Sequence, residues 1–160
     1  MTALVVALVL INGGQVLAAE TEITPYAITD VKAYLYFNHK DALSEDISNE
    51  QKGALWNTII GAGLAGSPSR ATLVVVEIRG KPGSYESKRM VEVSVQEIGE
   101  KVITKLKQKF PIGGLSKDGK YFAPFLVSDT GCLPLRISAR LLGQPQDTPK
   151  QKTINFECGE

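Results

Sequence analysis

The chain has 160 residues, 18 Lys and Arg against 17 Asp and Glu, and 43% hydrophobic residues. That length suits one domain able to bury a core without metals or many disulfides. A formal net charge of +1 supplies no general attraction for nucleic acid or an anionic membrane, which leaves another protein as the expected partner.

Residues 1–19 read as a cleaved secretory signal. Ala3 to Ile11 is an unbroken apolar run, followed by Asn12-Gly13-Gly14 and by Val16-Leu17-Ala18, with small residues where a signal peptidase cuts. The run is shorter than the roughly 20 apolar residues a membrane-spanning helix needs, although no Lys or Arg precedes it as in most signals. Residues 20–160 are then one exported domain, periplasmic or extracellular, without a transmembrane segment. An oxidising compartment favours a disulfide between Cys132 and Cys158, the two cysteines of the chain. Two thiolates and the distant His39 make a poor zinc site, so no metal or cofactor is expected.

Glu20 to Thr29 is polar and aperiodic, a tail or an edge segment. Asp30 to Asn38 reads as the first strand, with Val31, Ala33, Leu35 and Phe37 on one face and Lys32, Tyr34 and Tyr36 on the other. Tyr34 and Tyr36 are candidate contact residues, weighed against ordinary cross-strand packing. Ser48-Asn49-Glu50-Gln51 matches the S-x-x-Q capping box of a helix start, and Leu55, Trp56, Ile59 and Ile60 share one helical face. A short helix is expected there, its face buried and Trp56 plugging the core. Gly61-Ala62-Gly63-Leu64-Ala65-Gly66 matches G-x-G-x-x-G, but no strand precedes it and Pro68 forbids the long helix that a dinucleotide site needs. It reads as the unwinding end of the helix.

Strands follow. Ala71 to Arg79 contains the run Leu73-Val74-Val75-Val76, suited to a central strand covered on both faces. Arg89 to Glu97 alternates, with Val91, Val93 and Val95 inward. Lys101 to Phe110 alternates as well, and a two-residue turn at Ile98-Gly99 would set Val95 against Val102, Val91 against Leu106 and Glu92 against Lys105. A longer loop of the same parity keeps the same faces. Lys101, Lys105, Lys107 and Lys109 share the outer side of that strand with Ile103, either as a row for an acidic partner or as edge lysines that deter stray strand pairing. Pro124 places Tyr121 to Asp129 at a sheet edge or bends it. Leu133 to Leu142 directs Leu133, Leu135, Ile137, Ala139 and Leu141 inward, and Lys150 to Cys158 closes the domain with Ile154 and Phe156 inward. Pairing Leu135 with Phe156 and Ile137 with Ile154 brings Cys158 beside Cys132, provided that a local irregularity over Gly131 to Pro134 turns Cys132 to the right side.

Catalytic signatures are sparse. Gly114 to Tyr121 nearly matches a phosphate-binding loop, yet Tyr121 stands where the magnesium-binding hydroxyl belongs and a strand follows, so a β-turn flanked by lysines is the better reading. Asp129-Thr130-Gly131 resembles the D-T-G of aspartic proteases, which need a second aspartate sharing a proton; a turn suits it better. His39 is the only imidazole, on a charged loop.

About seven strands with one short α-helix inserted after the first describe a mainly β chain, an antiparallel β-sandwich of immunoglobulin-like build. A non-catalytic binding protein is the leading expectation, an accessory or inhibitory partner of an envelope or secreted protein. A hydrolase using Asp129 or the His39 loop, and a structural subunit of an envelope assembly, are the alternatives.

Overall fold

The computed structural model describes residues 26–38, 40–49, 69–144 and 148–157, together with the backbone of Leu55–Trp56. Alternating apolar residues drive this chain into strands, and each strand needs a partner for its backbone and a cover for its apolar face. Both needs are met by two four-stranded antiparallel sheets. The first has the order β2-β1-β4-β7, from β1 (Ala27–Phe37), β2 (Ala42–Leu43), β4 (Ala71–Arg79) and β7 (Lys120–Ser128). The second has the order β6-β5-β8-β9, from β5 (Tyr85–Ile98), β6 (Val102–Gly114), β8 (Leu135–Leu142) and β9 (Lys150–Ile154). A two-stranded parallel pair joins β3 (Leu55–Trp56) to β10 (Phe156–Glu157).

The inner faces share one core in a sandwich-like arrangement. Val31, Ala33, Val74, Val76, Val91, Val93, Val95 and Ile137 are all fully buried. Large and small residues alternate across the sheets: Ala33 and Val74 stand in register with Phe125, while Val31 and Val76 stand with Ala123. Phe110 of β6 reaches across to β7, its ring 6.0 Å from that of Phe125 and roughly edge-on.

Pro124 lies on β7, an edge strand that pairs with β4 on one side only, a position where a missing N–H is tolerated. The segment 115–119 is a hairpin turn: the Gly119 N–H donates to the Ser116 carbonyl at 2.9 Å, and the Ser116 N–H to the Lys120 carbonyl at 2.9 Å. No phosphate loop is formed there. The Gly131–Pro134 stretch is irregular, with Gly131 at φ 128° and regular pairing starting only at Leu135.

Several expectations need correction. Among the described residues there is no helix, and none is long and apolar enough to cross a membrane. Ser48 and Asn49 form a turn and Leu55–Trp56 is a strand. Residues 50–54 and 57–68, which carry the rest of the expected helix and the glycine motif, lie outside the described residues. Among the described residues the Ser48 hydroxyl finds no hydrogen-bond partner. Asp46 Oδ1 instead accepts the N–H groups of Ser48 at 2.9 Å and of Ala33 at 3.2 Å, so this segment serves the open edge of β1. The β5–β6 hairpin keeps its predicted faces only from Leu106 onward, and not its register: Val95 opposes Leu106, Val91 opposes Phe110 and Glu92 opposes Lys109. The shift between Val95 and Gln96 sets Thr104 against Gln96 and Val102 against Ile98, turning both to the outer face, where Val102 is 57% exposed. Leu135 pairs with Ile154 rather than with Phe156, a slip of two residues that preserves inward and outward faces. Leu133 is 39% exposed, because the bend at 131–133 ends before the strand begins and leaves it against Gly99 instead of in the core. Of the two apolar residues on the outer side of β4, Leu73 and Val75, neither is fully covered.

Candidate interaction surfaces

The rows on the outside of the first sheet follow from its register. Tyr34, Leu73 and Leu126 stand side by side across β1, β4 and β7; Lys32, Val75 and Pro124 form the next row; Asp30, Glu77 and Phe122 the one beyond. At the other end Tyr36 lies beside Leu43. An apolar and aromatic strip therefore runs across the solvent side of this sheet. Leu126 is 53%, Phe122 49% and Leu43 48% exposed, although the sheet needs none of them for its core. Apolar residues gathered in one exposed patch mark contact surfaces more often than scattered ones do. The Tyr36 hydroxyl donates to Asp41 at 3.2 Å, and this bond together with the aspartate charge raises the Tyr36 pKa. Asp41 itself sits at φ 46° in the hairpin turn, a conformation that aspartate tolerates better than most residues.

The lysine row is broken up. Lys107 opposes Ser94 and Lys109 opposes Glu92, so both stand on the outer face of the second sheet, exposed. Lys101 lies in the turn before β6. Between Val95 and Gln96 the pairing shifts, leaving Lys105 as the extra residue of a bulge. The bulge re-aims its side chain to Glu97 at 3.8 Å and Asp129 at 3.2 Å. Tyr34 and Tyr36 on one sheet and the lysines on the other are not brought together. Arg140 pairs with Glu92 on the same outer face, its Nε 2.8 Å from Oε1.

Asp129 is at φ 55°, its side chain 90% exposed and engaged by Lys105. Its neighbour Thr130 is buried and shares a 2.8 Å hydrogen bond with the Thr72 hydroxyl. A proton-sharing carboxylate pair needs two acids in contact, and the partner of Asp129 is a lysine. No group of three or more His, Cys, Asp or Glu among the described residues is placed to hold a metal. His39 and Cys158 lie outside the described residues; Cys132 is exposed in the bend before β8, and no described cysteine is free.

The opposite end of the domain is sealed. Gly80 N donates to the Gly119 carbonyl at 2.9 Å, Gly83 N to the Ser116 carbonyl at 2.8 Å and Leu115 N to the Ser84 carbonyl at 2.9 Å, locking two turns together. Beneath them Arg89 stacks over Tyr26 at 4.7 Å and pairs with Glu86. Burial alone would raise the Glu86 pKa, but the N–H groups of Lys88 and Arg89 and the Arg89 guanidinium outweigh it and hold the carboxyl below the ordinary glutamate value.

Sequence reasoning missed the outward apolar residues of β4 and β7 as a surface, although both strands signal it by carrying hydrophobic residues at both parities. The chain matches no protein-family model and no curated protein sequence.

Proposed function

We propose that this is an exported, non-catalytic binding module of immunoglobulin-like build that holds another protein against the outer face of its first sheet. The observation that carries the reading is the register-aligned row Tyr34–Leu73–Leu126, extended by Phe122, with Leu126 and Phe122 exposed and Tyr34 and Leu73 half-buried on the outer side of a sheet whose core lies on its other face. The strand order supports the immunoglobulin-like assignment: β1-β4-β7 in one sheet and β6-β5-β8-β9 in the other, with the chain passing between sheets after β4, β6 and β7, is the Greek-key wiring of such domains.

Export and a Cys132–Cys158 bridge belong to the same proposal. Cys132 stands three residues before Leu135 and Cys158 four residues after its partner Ile154, so a bridge there would tie β8 to the end of the chain. Mass spectrometry of the exported protein should find residues 1–19 removed and no free thiol; an intact Met1 with two thiols would refute both. The binding reading is tested by affinity capture from the native envelope. Tyr34→Glu with Leu126→Glu should lose the captured protein, whereas Asp129→Ala and His39→Ala should keep it. The reverse pattern, with loss of a hydrolytic activity in the alanine variants, would favour an enzyme.

A further inference from the structure

The longest open backbone edge in the described structure belongs to β6. Among the described residues that strand pairs with β5 alone. Along Val102 to Lys109 most side chains meet solvent: Val102 is 57% and Ile103 52% exposed, and Gln108 is exposed although it stands opposite the fully buried Val93, while Leu106 packs against the core and Lys105 is the half-buried residue of the bulge. The facing sheet therefore covers Leu106 but leaves the inward-parity Gln108 in water. The other edges are short or blunted. β2 has two residues, β7 carries Pro124, and β9 folds Lys150 onto the Thr29 carbonyl and Lys152 onto Asn49 Oδ1 at 2.7 Å.

We propose that the Val102–Lys109 edge is a strand-addition site for an extended acidic segment of a partner protein, carrying carboxylates at alternate positions. The inference shares with the preceding reading only the premise that this protein binds others, and it concerns a different surface. Main-chain hydrogen bonds to a bare edge supply the docking, and side chains opposite each other choose the partner. Lys107 and Lys109 make that choice, since Lys105 is already held by Asp129 and Glu97. They project from one face about 6.7 Å apart, the spacing of alternate residues in a strand, and alternate carboxylates on an added strand would face them one to one. A second copy of this chain is the wrong occupant. Antiparallel self-pairing through a two-fold axis keeps outer face beside outer face, so Lys107 would meet Lys107 or Lys109, and like charges directly opposite destabilise a strand pair.

Nuclear magnetic resonance of the isotopically labelled full chain tests this with three peptides of equal composition and length: glutamate and threonine in strict alternation, the same residues with the glutamates in one block, and the alternating peptide with every second amide N-methylated. The alternating peptide should shift and protect amides of residues 102–109. The other two should bind roughly tenfold more weakly, as expected when about 1.4 kcal/mol of pairing is lost. Lys107→Glu, at the position opposite Ser94, with Lys109→Gln should abolish the preference for the alternating glutamate peptide and favour an alternating lysine and threonine peptide, while Glu92 keeps its pairing with Arg140 and the dispersed amide spectrum shows that the fold is retained. Equal binding by the N-methylated peptide, perturbation centred on the first sheet instead, or no binding by any peptide at low salt would each overturn the proposal. None of these results bears on whether Tyr34 and Leu126 are needed for capture.

Discussion

Replacing Gly119 by alanine tests how the two turns at one end of the domain are held. Gly119 is at φ 75°, and a Cβ built on it would stand 2.5 Å from the Gly80 carbonyl oxygen. Two costs follow. An L residue in the left-handed region costs roughly 1–2 kcal/mol. The clash is with backbone, so the turns must part, loosening the 2.9 Å bond from Gly80 N to the Gly119 carbonyl at about 1 kcal/mol. Together they predict a loss of roughly 2–3 kcal/mol, or about 6–12 °C in the thermal midpoint at some 3–4 °C per kcal/mol for a domain of this size. Gly113 is the internal control. It has φ 83° and open space where a methyl group would stand, with nothing within 4 Å, so Gly113→Ala carries the conformational cost alone, roughly 1–2 kcal/mol. Thermal denaturation followed by circular dichroism reads both variants. Equal losses for the two would refute the interlock of the turns as an energetic feature.

Other outcomes follow from the same structure. Thr130→Val leaves the fully buried Thr72 hydroxyl without its partner and should cost about 1–3 kcal/mol, most of it recovered in the Thr72→Val, Thr130→Val double variant; denaturant titration decides. Because the folded Glu86 pKa is lowered, its contribution to stability is complete above the ordinary glutamate pKa and is lost as pH falls through the lowered value. Glu86→Gln should therefore be the less stable protein at neutral pH, with the gap closing in acid; a gap independent of pH would contradict this. Asp41→Asn should bring the raised Tyr36 pKa down towards that of a free tyrosine, read by ultraviolet titration of the phenolate. An unchanged Tyr36 titration would mean that the bond to Asp41 does not matter in solution.

The alternation of apolar residues carries most of the fold. Val31, Ala33, Leu35 and Phe37, and likewise Val91, Val93 and Val95, are buried as their period of two demands. Parity survives a register slip of two residues, which is why Leu135 and Ile154 both face inward although they were not expected to pair with each other. Register is illegible in the sequence because it depends on the length of the turn and on bulges, such as the one that takes Lys105 out of its row. Leu133 departs from expectation for a related reason: alternation extends on paper through Pro134, but the bend at 131–133 stops the strand. At Leu55–Trp56 a local helix signal loses to parallel pairing with Phe156–Glu157, a contact about a hundred residues away that no local pattern announces. The contact surface is half visible. Tyr34 and Tyr36 can be assigned to an outer face from β1 alone, whereas Leu73 and Leu126 join them only once the three strands are set side by side.

Oxidative side-chain footprinting of the captured complex tests the binding account most directly. Tyr34, Phe122 and Leu126 should lose labelling when the partner is bound, while Tyr85, 77% exposed and on the other sheet, should label as it does in the free protein. Full labelling of the first three with protection of Tyr85 would contradict the account.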